Sequence, residues 1–274
     1  MATCGITNLG SCLVENLFEF LLYILNLPIK ALLILINNLM IEPVNIELFA
    51  STWAIIIYIL SLFYGIIILI TGFRFMLSGN SPEQREKAKR ELMNNILMIV
   101  FVQASFFLYK IILEIISSIS TVIFNLIPQT FFLITIDNLN NIGLELILVI
   151  PYLAVLVTTL IFLTLRYICV GIGVVLFAIG IFFYFIGPLK QYGKLIINYL
   201  AVLATLPILY SIIFLASSKF LELPIFSGMK IIVMIGAFAL VDITTIFLVL
   251  FVIIKAANTL SGPIGTLTKV AGVL

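Results

Sequence analysis

Histidine is absent from the 274 residues, which removes the commonest general base and the commonest zinc ligand. Charge is scarce as well: 9% of the residues are Asp, Glu, Lys or Arg, against about 25% in a soluble domain. The three cysteines, Cys4, Cys12 and Cys169, lack the CxxC spacing of a metal knuckle or a redox site. Glycine builds no phosphate cradle, since neither GxxxxGK[ST] nor GxGxxG after a strand occurs, and GxSxG is missing too. Nucleotide hydrolysis and serine-hydrolase chemistry therefore have no residues to use. The chain is not expected to be an enzyme, and no cofactor or metal is implied. A net charge of +2, from 14 basic and 12 acidic residues, says nothing by itself about a nucleic-acid surface.

What the chain has is hydrocarbon. Hydrophobic residues make up 64% of it and the mean hydropathy is +1.34, more apolar surface than the interior of a soluble domain of this size can hide. Lipid must be the solvent. The composition predicts an all-α polytopic integral membrane bundle of about six transmembrane helices, with five and seven as alternatives, and an N-terminal interfacial amphipathic helix. Two regions follow: an extracellular-side amphipathic region at 1–48, and a transmembrane domain at 49–274 with a cytoplasmic basic loop at 77–92.

Residues 12–41 are apolar but interrupted, and Glu15, Glu19, Asn26, Lys30 and Asn37 keep a period, spaced four, seven, four and seven apart. At about 100° per residue these fall within a sector of roughly 60°. Such a stripe suits a helix lying in the headgroups, because a spanning helix would hold Lys30 in hydrocarbon at about 2.5–3.5 kcal/mol. Pro28 should kink it. No Lys or Arg precedes Lys30, so a cleaved secretory signal is not expected. Cys4 and Cys12 would allow a small disulfide loop if that end faces an oxidising exterior.

Ala50 to Met76 carries no charge before Arg74 and exceeds the roughly 20 residues a crossing needs. Beyond it, Ser81 followed by Pro82 and Gln84 forms a helix-start signature. That helix should enter the membrane near Met93 and bend near Ser117-Ser118, with an interfacial or re-entrant piece from Thr121 to Ile136 broken by Pro128. The run 142–186 is long enough for two crossings. Gly187-Pro188 ends it, and further spans follow at 195–216 and 231–254.

Arg85, Lys87, Lys89 and Arg90 put the loop at 77–92 in the cytoplasm and the N-terminus outside. Two crossings within 142–186 would then leave Lys190 and Lys194 outside. A single effective crossing there, or an added one at 115–136, moves Lys190, Lys194, Lys255 and Lys269 inside. The basic residues favour that odd-crossing arrangement, with a cytoplasmic C-terminus.

Arg166 and Asp242 are the charges set deepest in apolar sequence, and intramembrane charges mark ion paths or substrate contacts. The blander alternative puts Arg166 at a hairpin tip and leaves Asp242 bonded to a hydroxyl such as Thr244 or Thr245. If the two meet, a structural pair is favoured over a proton relay.

Two stretches carry a resemblance. The block Gly72-Phe-Arg-Phe-Met-Leu-Ser-Gly-Asn-Ser-Pro-Glu-Gln-Arg-Glu-Lys-Ala-Lys-Arg resembles the helical hairpin of small membrane subunits and pilins in type IV secretion and conjugation machines. The stretch Phe185-Ile-Gly-Pro-Leu-Lys-Gln-Tyr-Gly-Lys, with its Gly187-Pro188 loop, is similar to a loop of the polytopic inner-membrane subunit of those machines, the TrbL-like family, and most like the CedA-like protein of archaeal DNA import. The resemblance implies a plasma-membrane channel or scaffold subunit that forms homo-oligomers beside the path of DNA, with a separate secretion-type ATPase and pilin-like partners. Bacterial relatives often carry a Trp after the Gly-Pro loop, where this chain has Tyr199 or none. The competing functional class is a secondary transporter or ion channel for a small solute, which predicts an inverted repeat and paired broken helices. Gly171 and Gly173 could unwind one helix, without a counterpart in the other half. A third class is a membrane scaffold that only holds partners.

Overall fold

The computed structural model describes the backbone of residues 9–78, 81–134, 142–226 and 229–271, and side chains at 17, 20, 23–78, 81–128, 130–134, 147–226 and 229–255. The described residues form α1 (Leu9–Ile41), α2 (Ala50–Leu77), α3 (Pro82–Gln103), α4 (Ser105–Phe124), α5 (Ile142–Phe185), α6 (Lys190–Phe220) and α7 (Lys230–Ala271). Short 3-10 turns at Ile46–Phe49, Gln129–Phe132 and Gly187–Leu189 join them. Among the described residues six segments are long and apolar enough to cross a membrane: Tyr23–Ile41, Ile46–Leu77, Ser105–Phe124, Ile147–Phe185, Gly187–Phe220 and Lys230–Lys255. The protein is therefore a multi-pass, all-α membrane protein. Cys4 lies outside the described residues, as do the side chains of Cys12, Glu15, Glu19 and Lys269.

The structure decides between the readings of two stretches. The run 142–186 is one helix of 44 residues, about 66 Å at 1.5 Å per residue, and it makes no hairpin. Its glycines serve packing: a Cβ on Gly171 would strike the Phe49 ring, and one on Gly173 would strike the Tyr109 hydroxyl and Leu200. No interruption falls at Ser117-Ser118, which lie inside α4; the helix breaks instead at Ala104, with φ −81° and ψ −4°, between α3 and α4, while Ser117 donates its hydroxyl to the Ile41 carbonyl. The last span stands where expected, at Lys230–Lys255, and α7 continues as helix beyond it to Ala271.

The chain divides into two compact units. The first comprises 1–42, 117–165 and 207–246. At its centre Phe132 contacts the rings of Phe124, Phe131, Phe214 and Phe238. The Tyr152 hydroxyl donates to the Phe132 carbonyl at 2.9 Å, which ties the segment after α4 to α5. The stripe of α1 is used here too. Asn26 makes a two-way bond with the backbone of Ile134, at 3.0 and 3.2 Å, so this part of the stripe faces protein.

The second unit comprises 43–116, 166–206 and 247–274. Ile57, Leu60 and Tyr64 of α2, Met98 and Val102 of α3, and Ala178, Ile181 and Phe182 of α5 form its core. Gly193 lets α6 press directly on α5, because a Cβ there would collide with the backbone of Gly180 and Tyr184. Small residues at such crossings allow the close approach on which helix association in lipid depends.

Contacts fix the helix directions. Ile41 meets Ser117 and Asn26 meets Ile134, so α1 runs antiparallel to α4 and its continuation. Glu47 meets Lys110, Trp53 meets Ser105 and Thr71 meets Asn95, so α2 also runs antiparallel to α4 and to α3.

Candidate functional site

The α2–α3 turn is built from its caps outward. Ser78 Oγ bonds the Phe75 carbonyl at 2.7 Å, closing α2. Ser81, with φ −141° and ψ 136°, accepts the Gln84 N–H at 3.3 Å, and Pro82 takes the first helical position. The helix start read in the sequence is thus present. Two cross-links hold the hairpin below the turn: Asn95 donates to Thr71 at 2.7 Å, and Arg74 pairs with Glu91 at 3.3 Å. Arg85, Lys87, Lys89 and Arg90 are all exposed around buried Ala88. Arg90 pairs with Glu86 at 2.8 Å; Arg85, Lys87 and Lys89 form no ion pair with described residues. Beneath them lies a cavity of about 310 Å³ lined by Arg74, Leu77, Ser78, Gln84, Lys87, Ala88 and Glu91.

Arg166 lies in the middle of α5, 6% exposed, and not at a hairpin tip. Its Nε donates to the Leu203 carbonyl at 2.9 Å and its Nη2 to the Ala204 carbonyl at 3.4 Å, both on α6. The cause is four residues along: Pro207, inside α6, has no N–H to give the Leu203 carbonyl. The guanidinium occupies the acceptor that the proline leaves open.

Asp242, in α7 of the first unit, is 8% exposed, and its Oδ1 has no partner among the described residues. Its hydroxyl neighbour is Thr159 of α5, not Thr244 or Thr245; Thr245 bonds the Val241 carbonyl and the Tyr210 hydroxyl instead, at 2.8 and 2.6 Å. Arg166 and Asp242 thus belong to different compact units, each with contacts of its own.

Gly187 and Pro188 form the expected break, a 3-10 turn entered through extended Ile186. Lys190 follows it with its ammonium 5.4 Å from the centre of the Tyr184 ring, a cation–π distance. Among the described residues no group of three or more His, Cys, Asp or Glu gathers to hold a metal ion. The Lys110–Glu47 pair at 2.9 Å was not singled out from the sequence, because residues 63 apart announce no pairing. Tyr109 was missed for the same reason; its hydroxyl is buried against the Val170 carbonyl at 2.9 Å.

These features define a multi-pass membrane protein with an exposed basic turn at a hairpin end and two charges held among its helices. The sequence matches no protein-family model, and neither curated proteins nor solved structures give a match.

Proposed function

We propose that the chain is a channel or scaffold subunit of a type IV secretion-like DNA-transfer apparatus, for import or conjugation. It would act in the plasma membrane as a homo-oligomer with a separate cytoplasmic ATPase, pilin-like small membrane subunits and DNA in transit. The observation that carries this reading is the α2–α3 turn. Arg85, Lys87 and Lys89 are exposed on a capped helix start without ion pairs among described residues, which suits an acidic partner surface and steers its approach. A subunit with no phosphate-binding loop of its own needs a motor to dock. The Gly187-Pro188 turn adds family-like architecture.

With the basic turn in the cytoplasm, the proposed arrangement has the N-terminus outside and the C-terminus in the cytoplasm, together with Lys190, Lys194 and Lys255, as the positive-inside rule favours.

The test changes Arg85 and Lys89, four residues apart, or Lys87 and Arg90, three apart, to glutamine as pairs. Each pair shares a helix face. DNA transfer should fall at least fivefold in one pair while membrane level and topology stay as in wild type. Unchanged transfer in both pairs would reduce the turn to a topological anchor.

A further inference from the structure

The first unit contains a cavity of about 370 Å³ between α1, the segment 124–133, α6 and α7, within the range of roughly 300–1,000 Å³ typical of ligand sites. Its floor is apolar and buried: Ile36, Ile127, Phe132, Phe214 and Phe238. Its exposed rim holds Lys30, Ile34 and Asn125. Lys30 is the single charge in the apolar segment Tyr23–Ile41, and it forms no ion pair with described residues. Asn37, seven residues on and so about 10 Å deeper along the same face, also lines the cavity, and its buried Oδ1 has no hydrogen-bond partner among them. An unpaired buried amide carries a free-energy penalty, and an exposed ammonium with no ion pair among the described residues is available to an anion. Both are on one wall of one pocket.

The position of Lys30 in the first unit suits a headgroup. Asn26, one turn earlier, is tied to Ile134, and the Lys230 ammonium at the start of α7 is tied to the Thr130 carbonyl at 2.6 Å. Lys30 is thus on the exposed rim, one helical turn from the Asn26–Ile134 tie, and the aromatic rings form the buried floor.

The geometry points to an anionic glycerophospholipid as the occupant of this cavity, its phosphate on Lys30, its glycerol region against Asn37 and one hydrocarbon chain over Phe132, Phe214 and Phe238. The charge selects the head and the rings accept the chain. An amide can donate or accept according to its orientation, so Asn37 serves either an ester oxygen or a hydroxyl of the bound lipid. This site is independent of DNA transfer and holds whether or not that reading survives.

The test uses the full-length protein in nanodiscs and two photoactivatable probes, phosphatidylglycerol and phosphatidylcholine, with the same diazirine-bearing chain. Phosphatidylglycerol should label peptides covering 33–41 or 124–133 at least fivefold more than phosphatidylcholine. Lys30→Gln should bring its labelling down to the phosphatidylcholine level, and Leu33→Trp, which fills the cavity, should lower both. Lys255→Gln should change neither. Should Lys30→Gln not fold, competition on the wild-type protein decides: unlabelled phosphatidylglycerol must displace the probe, and unlabelled phosphatidylcholine or glycerol phosphate must not. Equal labelling by the two probes, indifference to Lys30→Gln in folded protein, displacement by glycerol phosphate, or cross-linked dimers joined at these peptides would each overturn the assignment.

Discussion

Arg166 and Asp242 are both buried charges in apolar helices, and the two units treat them differently. In the second unit Arg166 is solvated by carbonyls of α6, one of them released from its helical bond by Pro207. In the first, Asp242 has a hydroxyl neighbour in Thr159, yet one carboxylate oxygen finds no donor among the described residues. The difference follows from the helix itself. Every helix carbonyl keeps a second lone pair, and a proline frees one entirely; a helix interior has no spare N–H to offer an anion. A cation can thus be accommodated among packed helices by backbone alone, while an anion needs side-chain donors brought to it.

The largest expected effect comes from removing the cation. Arg166→Leu leaves the Leu203 carbonyl buried without a donor and should destabilise the protein by about 3 kcal/mol, measured by thermal unfolding in detergent. A loss within the noise would show that the carbonyl contacts are incidental. Next in size is the rescue: Pro207→Ala restores an N–H to Leu203, so in the Arg166→Leu background it should recover about 1–2 kcal/mol, with a smaller gain in wild type. Additive single effects would break the proposed link between the arginine and the proline.

For the anion the sign reverses. Asp242→Asn removes the charge and keeps the shape, and should leave the unfolding temperature unchanged or raise it, by up to about 1–2 kcal/mol of stability. A loss as large as that of Arg166→Leu would mean that the carboxylate has donors and that the contrast is false. The smallest effect calibrates the others: Tyr210→Phe deletes the buried bond to Thr245 and should cost about 0.6 kcal/mol, the average for side-chain bonds inside membranes.

Much of this architecture was legible in the sequence. Ser81-Pro82 marked a helix start because capping is local chemistry, and Gly187-Pro188 marked a break for the same reason. The apolar runs gave the class and most of the spans. The single helix at 142–186 was not fixed, because an apolar run reports its length and not whether the chain turns back within it, and Gly171, Gly173 and Gly180 serve packing as readily as turns. The break at Ala104 had no signature, and Ser117 was misread because its hydroxyl is used by Ile41, 76 residues earlier. Arg166 stood out as a charge, but its partners depend on how α5 lies along α6, which no spacing reveals. The Lys30 and Asn37 stripe was visible; that it faces a cavity was not.

The measurement that tests the central proposal most directly is DNA transfer in cells lacking this chain, with and without the wild-type copy restored. The account predicts that transfer falls to background without the chain and returns with it, while cells restored with Arg85→Gln/Lys89→Gln or Lys87→Gln/Arg90→Gln show normal membrane level and reduced transfer. Normal transfer in the complete absence of the chain would contradict a role in DNA passage, and a solute transporter or channel would then become the better reading of the same fold.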